Sequence, residues 1–215
     1  MTPISPAIAL ALLIPGAALA FDQTHLSQLR DSKSCEGCDL SESDLRRADL
    51  TGAALSGADL SGARLWAAAL GGAALPGATL AGANLAAANL AEADLAKADL
   101  TGAYLTTTQL SGANLAGADL SDAVMTQADL SMADLSGATL TGAYMELASL
   151  AGANLTGADL SGVNLTSGRL TDAVMDGTRL TDAVLLGVAL EGVSLDRAIL
   201  CNTLMPDGTY DNSGC

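Results

Sequence analysis

The sequence predicts an all-β solenoid, a chain wound into stacked coils, with a short helical cap at its N-terminus. Three features lead to this fold class: a leucine or methionine at every fifth position from Leu40 to Leu200, a small residue two places before each of them, and a turn-forming pair between units. The repeating unit is A-(D/N)-L-(S/T)-G. Half of the residues are hydrophobic but only 2% are aromatic, which indicates one small packing unit used many times.

A period of five residues fits neither regular secondary structure. In an α-helix, leucines five apart would be spread around the cylinder, and frequent glycine would weaken the helix. In a straight strand, successive leucines would point to opposite faces because five is odd. A bend after every unit removes both conflicts, since the small residue and the leucine then share an inward face while glycine occupies the corner. A chain of such bends winds into a solenoid.

The repeat resembles that of the pentapeptide-repeat family, and the resemblance covers residues 38–200 almost without a break. It implies a right-handed quadrilateral β-helix in which four units make one coil. The thirty-three units then give about eight coils and, at about 4.8 Å per coil, a rod roughly 40 Å long. The CxxCDL segment that begins at Cys35 and the CNTxMPDG segment that begins at Cys201 are similar to those of exported members of the family.

The N-terminal segment is typical of a cleaved secretory signal peptide. Residues 1–20 contain no charged side chain and end with a small-x-small pattern, so we expect cleavage between Ala20 and Phe21. The segment is short for a membrane span and is broken by Pro15 and Gly16, so no stable membrane insertion is expected after cleavage. The alternative is a loosely packed N-terminus. Export predicts a periplasmic or secreted protein, or one of the thylakoid lumen if the source is a cyanobacterium.

The rest of the chain divides into a cap, a solenoid and a closing loop. Residues 21–37 lack the repeat and are expected to form the N-terminal cap, with Asp22 at the start of a short helix. Residues 38–200 are the pentapeptide-repeat β-solenoid. Residues 201–215 follow the last unit and contain a Pro-Asp-Gly turn, so they are expected to fold over the open edge of the final coil.

Four cysteines stand at the two ends of the repeat. Cys201 and Cys215 bracket the closing loop, and in an oxidising compartment we expect a disulfide between them; the alternative is two free thiols. Cys35 and Cys38 form a CxxC motif without the βαβ setting of redox enzymes, which favours a structural bridge over separate thiols or redox chemistry. The two pairs are too far apart along the rod to bind one zinc ion together.

The residues that catalysis requires are not grouped in this sequence. His25 is the single histidine and lies in the predicted cap, where we interpret it as a solvated residue. Serine, threonine and glycine recur at the corners of the units without a neighbouring base or a phosphate-binding pattern. The sequence therefore predicts no catalytic residue, no cofactor and no metal site.

Two columns of outward side chains are candidate interaction surfaces if one coil holds four units. An acidic column either binds cations weakly or imitates a nucleic-acid backbone, or its side chains hydrogen-bond the corner backbone. A second column stacks Tyr104, Val124 and Tyr144, as a docking strip or as a ladder that supports one face. Trp66 and Leu186 share a third column but lie six coils apart, so no single patch is expected from them. The acidic column contains Asp39, Asp59, Asp99, Asp119 and Asp159.

The predicted function is a non-catalytic scaffold or protein-interaction module of the periplasm or an equivalent lumen, with an unknown protein as its partner. The net charge of −15 argues against nucleic acid as a partner, because its phosphates would be repelled. The alternative is an acidic DNA mimic that inhibits a topoisomerase such as gyrase, as some cytoplasmic members of the resembled family do. Export would place such an inhibitor on the wrong side of the membrane.

Overall fold

The computed structural model describes residues 22–215, which form a stack of coils with a cap at each end. The predicted signal peptide, with its cleavage site at Ala20 and Phe21, lies outside the described residues. No helix among residues 22–215 has the length and apolarity needed to cross a membrane. The regular elements are helix α1 at Gln23–Ser32, strand β1 at Thr203–Leu204 and strand β2 at Tyr210–Asp211.

Parallel backbone pairing between coils builds the solenoid. Thirty isolated bridges between residues 34 and 204 join positions that are twenty apart, so four five-residue units with their turns make one coil. Within a unit the backbone bonds both neighbouring coils: the Leu120 N–H donates to the Thr139 carbonyl at 2.7 Å, and the Asp119 N–H donates to the Ala98 carbonyl at 2.9 Å. The predicted solenoid is therefore present, while its right-handed sense stays a prediction from the family resemblance.

Every unit ends in a tight turn. In one such turn the Ala103 N–H donates to the Leu100 carbonyl at 3.0 Å, and Gly102 between them has a φ of 62°. A positive φ at the third residue of a turn is the mark of type II geometry, and it favours glycine. Other residues also occupy this place, including Ala87 and Thr107, each with a φ of 57°. Glycine is therefore frequent in the repeat because the backbone of the corner has a positive φ.

The core is a stack of inward alanine and leucine side chains. In the middle of the rod, Ala118 and Leu120 are buried, whereas Asp119 between them is exposed. The small residue and the leucine point to the same side because they stand two positions apart in an extended segment. Each coil therefore lays apolar side chains on those of the coil before it.

Helix α1 closes the N-terminal end of the stack. The Asp22 carboxylate accepts the Thr24 N–H at 2.8 Å, so Asp22 caps the helix as the sequence predicts. Leu26 and Leu29 are the buried residues of the helix and join the apolar core. The helix ends at Ser32, and the C-cap residue Lys33 adopts a left-handed conformation and donates its N–H to the Leu29 carbonyl.

The C-terminal end is closed by a disulfide-bonded loop. Cys201 and Cys215 are joined, and strands β1 and β2 pair antiparallel within the loop that they close. The Gly214 N–H donates to the Leu200 carbonyl at 2.7 Å. This bond returns the end of the chain to the last leucine of the repeat, so the loop covers the edge that another coil would otherwise occupy.

Candidate functional site

The predicted acidic column forms one line on the solenoid. Bridges join Asp39 directly to Asp59, and Asp99 directly to Asp119, while Asp159 stands further along the same line. Two threonines interrupt the carboxylates, and an arginine and an isoleucine follow the last of them. The line is therefore acidic in short runs, because it never carries more than two aspartates in succession.

Each carboxylate of the acidic column also caps the corner that follows it. The Asp119 carboxylate accepts the Ser121 N–H at 2.9 Å and the Ser121 hydroxyl at 2.6 Å. Such bonds stabilise the ionised form, and the Ser41 hydroxyl and N–H hold the pKa of Asp39 below its ordinary value. The geometry supports the interpretation of corner hydrogen bonding, and a role in recognition stays a prediction. The other aspartates of the column also accept the N–H of the residue two positions later, at 2.9 to 3.1 Å; they are Asp39, Asp59, Asp99 and Asp159.

The second predicted column is present and lies on one exposed side of the rod. Tyr104, Val124 and Tyr144 are joined by consecutive bridges, and the two tyrosines are 53% and 56% exposed. Aromatic and β-branched residues stacked on neighbouring strands stabilise a sheet. More than half of each tyrosine nevertheless remains free to contact another molecule.

Most of the exposed apolar side chains collect around this column. Turn residues two or three positions after this column along the chain add Trp66, Leu147 and Leu186, and Tyr210 pairs with Leu204 at the end of the column. In residues 22–215, six of the eight large apolar side chains that are exposed lie here. We call this surface the tyrosine side; its six residues are Trp66, Tyr104, Tyr144, Leu147, Leu186 and Tyr210.

A cleft rich in arginine opens at the N-terminal end of the tyrosine side. It has a volume of about 490 Å³ and is lined by Asp44, Arg46, Arg47 and Trp66. Arg46 binds the Asp44 carboxylate through two nitrogens, at 2.8 and 2.6 Å, and Arg64 approaches the same group to 3.4 Å. Hydrogen bonding from Arg46 lowers the pKa of Asp44 to about 2, so this carboxylate stays ionised.

Arg47 stands apart from these ion pairs. Its guanidinium lies 4.7 Å from the centroid of the Trp66 ring, a cation–π contact. Among residues 22–215 it has no carboxylate within ion-pair distance. We did not expect this cluster from the sequence, although the signal is there: Arg46 and Trp66 stand twenty positions apart, which places them one above the other on neighbouring coils.

The remaining candidate residues serve the N-terminal cap. His25 is partly buried, and its Nδ1 accepts the Asp39 N–H at 3.1 Å, so it ties α1 to the first coil and is not the solvated residue that we expected. Cys35 and Cys38 are joined by a disulfide. In the described part of the chain, no group of three or more His, Cys, Asp or Glu side chains is arranged to hold a metal ion.

Comparison with family models is decisive for the repeat. The model for Pentapeptide repeats matches in eight copies, over residues 34–66, 68–106, 103–142 and 128–166. The chain belongs to the pentapeptide-repeat family. Members of this family are in general structural or interaction modules, and no catalytic family is indicated. The comparison with curated proteins found no match.

Solved structures of other pentapeptide-repeat proteins are similar to the chain. HetL, described as involved in heterocyst differentiation regulation in the cyanobacterium Nostoc sp. strain PCC 7120, is 38% identical over 83% of this chain and 87% of that one, with a TM-score of 0.44. QnrB1, a plasmid-mediated fluoroquinolone resistance protein, is 17% identical over 82% and 87%, with a TM-score of 0.53. A protein of the Arabidopsis thaliana thylakoid lumen is 29% identical over 52% and 68%, with a TM-score of 0.25.

Proposed function

We propose that this pentapeptide-repeat protein is a non-catalytic scaffold that works outside the cytoplasm, in the periplasm or an equivalent lumen, and presents the sides of its rod to a protein partner. The observation that carries the proposal is the closure of both caps by disulfides, Cys35–Cys38 and Cys201–Cys215. Disulfides form and persist in oxidising compartments, and they are rare in the cytosol. An oxidising compartment is also where the predicted signal peptide, residues 1–20, would deliver the chain.

The scaffold role is supported by the different uses of inward and outward residues. The small residue and the leucine or methionine of each unit pack in the core. The outward residues are not constrained by that packing, so each side of the rod can present different side chains at regular spacing. The acidic column, which contains Asp39, Asp59, Asp99, Asp119 and Asp159, gives one of these sides a negative potential suited to a basic partner. We therefore propose the acidic column as the partner-binding side.

The compartment is tested by fractionation of the native cells followed by mass spectrometry without reduction. We expect the protein in the fraction outside the cytoplasm, with its N-terminus at or near Phe21 and with both disulfides formed. Recovery of a reduced chain that retains Met1 in the cytosolic fraction would contradict the proposal. Such a result would favour the alternative, a DNA mimic that inhibits gyrase.

The partner-binding side is tested by photocrosslinking in the same cells. A crosslinking residue at Thr79, which lies in the acidic column between Asp59 and Asp99, is compared with one at Met132, on another side of the rod and 72% exposed. We expect a defined protein adduct from Thr79 that weakens when Asp59 and Asp99 are changed to asparagine. Equal adducts from both positions would contradict recognition through the acidic column.

The gyrase alternative rests on the acidic surface and on the likeness to QnrB1, which at 17% identity concerns the fold alone. Purified oxidised protein added to a gyrase supercoiling assay tests it directly. We expect no inhibition at molar excess over the enzyme. Inhibition that disappears when Asp99 and Asp119 are changed to asparagine would instead establish the mimic.

A further inference from the structure

The middle five positions of the column that contains Tyr104 and Tyr144 read the same in both directions. Consecutive bridges join Asn84, Tyr104, Val124, Tyr144 and Asn164, so Val124 is flanked on each side by a tyrosine and then by an asparagine. A two-fold symmetric interface requires a surface that is complementary to itself when its direction is reversed. A column with this order meets that requirement.

We propose that two copies of the protein pair antiparallel through their tyrosine sides, about a two-fold axis beside Val124. Such an axis reverses the direction of the rod but keeps each side-to-side position. It places Tyr104 of one copy against Tyr144 of the other, and Asn84 of one against Asn164 of the other. Aromatic rings that meet in this way gain from stacking as well as from removal of their apolar surface from water.

The same axis accounts for the two isolated apolar residues of the neighbouring turn column. Trp66 stands three coils before Thr126, and Leu186 stands three coils after it, so neither has the other within reach in one chain. In the antiparallel pair, Trp66 of each copy lies against Leu186 of the other. Two exposed apolar side chains at opposite ends of one rod thereby become two contacts of a single interface.

Charge complementarity distinguishes the antiparallel from the parallel arrangement. Arg47 and Asp207 stand four coils before and four coils after Gln127, and the Gly187 N–H bond to the Pro206 carbonyl at 3.1 Å keeps the C-terminal loop in line with this column. Antiparallel pairing brings Arg47 of each copy to Asp207 of the other. In a parallel pair, Arg47 of one copy and Asp207 of the other would stand eight coils apart, so this attraction would be lost.

The charge distribution along the chain points the same way. At the N-terminal cleft, Arg46 and Arg64 form ion pairs with the Asp44 carboxylate, and Arg47 lines the cleft without an ion pair. Residues 67–215, by contrast, hold sixteen aspartates and glutamates against four lysines and arginines. Hydrogen bonds from Thr209 lower the pKa of Asp207, so the C-terminal loop presents an ionised carboxylate. Residues 22–66 are less acidic, with eight aspartates and glutamates against five lysines and arginines. Antiparallel pairing therefore places the arginines of the N-terminal cleft of one copy against the strongly acidic C-terminal part of the other.

The proposal is tested first by the mass of the purified, oxidised protein in sedimentation velocity over a series of concentrations at low salt. We expect a dimer whose dissociation constant rises roughly tenfold or more when Tyr104 and Tyr144 are changed to serine. The matched control, Met132→Ser, removes an exposed apolar side chain from another side and should leave the dimer unchanged. A wild-type monomer at every concentration, or an equal effect of Met132→Ser, would overturn the proposal.

Charge reversal and crosslinking then test the orientation. Arg47→Asp or Asp207→Arg alone should weaken the dimer, and the double variant should restore it; failure of the double variant to recover would exclude antiparallel pairing. Thr106→Cys and Glu146→Cys chains, treated with a short bismaleimide, should crosslink to each other when mixed, and neither should crosslink to itself. Self-crosslinking of each variant alone, without a crosslink in the mixture, would contradict antiparallel pairing. The measurements use purified protein, so their failure is separate from failure of the proposed scaffold role.

Discussion

At the small-residue position of the repeat, a hydroxyl can be buried where the coil before it offers a carbonyl. Thr108 is fully buried, and its hydroxyl donates to the Leu85 carbonyl at 2.9 Å, twenty-three positions earlier. Thr203 makes the equivalent bond to Leu180 at 2.7 Å. Ser43 occupies the same position in the first coil, where its buried hydroxyl has no hydrogen-bond partner within residues 22–215.

The hydroxyls of Ser43 and Thr108 are expected to affect stability in opposite directions. Ser43→Ala should raise the free energy of unfolding by about 1 kcal/mol, because it removes a buried polar group that has no partner within residues 22–215. Thr108→Ala should lower it by about 1–2 kcal/mol, because it removes a satisfied hydrogen bond and a methyl group. Chemical denaturation of both variants checks the prediction. Changes of the same sign would mean that the hydroxyl position, and not its partner, decides the effect.

The corner of the unit offers a second comparison between like residues. Ala86 and Ala87 are neighbours in one turn, but only Ala87 has a left-handed φ, of 57°. Ala87→Gly should therefore raise the free energy of unfolding by about 0.5–1 kcal/mol, since the strain of a side chain in this conformation is relieved. Ala86→Gly should lower it, because glycine there only adds freedom to the unfolded chain. Equal effects in thermal denaturation would contradict the turn assignment.

At the scale of the element, the N-terminal cap depends on exposed charges. Lys33, at the end of α1, binds the Asp49 carboxylate at 2.9 Å, and this contact is the main cause that lowers the pKa of Asp49 from 3.8 to about 2. A carboxyl whose pKa is lower in the folded state stabilises the fold when it is ionised. That contribution is fully present at a pH above the ordinary pKa of 3.8, and it is lost as the pH falls through about 2, the pKa in the folded state.

The expected signature is a pH-dependent difference between the wild type and Asp49→Asn. The wild type should have the higher Tm above pH 4, and the difference should shrink as the pH is lowered towards 2. Lys33→Gln serves as the control, because it should raise the pKa of the Asp49 carboxyl in an NMR titration. A difference in Tm that does not change with pH would show that the ion pair makes no contribution.

The C-terminal cap depends on a covalent clip. The Cys201–Cys215 disulfide closes a loop with a sequence separation of 14, and such a loop stabilises by roughly 3 kcal/mol in the chain-entropy model. Cys215→Ser should open the last coils first, because each coil of a solenoid contacts only its neighbours. Hydrogen exchange should then rise in residues 180–200 while the middle of the rod stays protected. A uniform rise along the whole stack would contradict local capping.

At the scale of the whole molecule, the fold is a sum of nearly equal coils between two different ends. Every bridge joins residues twenty apart, so removing one complete coil leaves each later column in line with the earlier one. Deletion of residues 71–90 should keep both disulfides and lower the enthalpy of unfolding by about one eighth.

Deletion of residues 71–88 is the matched control for this prediction. It is shorter, but it breaks the five-residue period at the junction and takes Leu90 out of line with Leu70. We therefore expect the shorter deletion to be the more damaging in calorimetry, with a local defect at the junction and a lower Tm. A milder effect than that of the full-coil deletion would mean that the period does not determine the fold.

The sequence by itself determined the features that depend on neighbouring residues. The period of five placed Leu120 and its equivalents inside the rod and Asp119 outside, because two positions in an extended segment return a side chain to the same face. Local chemistry also placed the helix cap at Asp22 and identified the turn-forming end of each unit. These outcomes follow from contacts within a few residues, which a linear pattern records.

Only the tertiary structure decided which residues share a side. That depends on how many units close one coil, and a bend of five residues is compatible with more than one number. Closure at twenty residues brought Arg47 onto Trp66 and the Thr108 hydroxyl onto Leu85, contacts that can be read from the sequence only once the length of the coil is known. It also gathered Trp66 and Leu186 on the tyrosine side. The physical reason is that a coil pairs residues through backbone bonds across a whole turn of the chain, so the composition of a side is a long-range property.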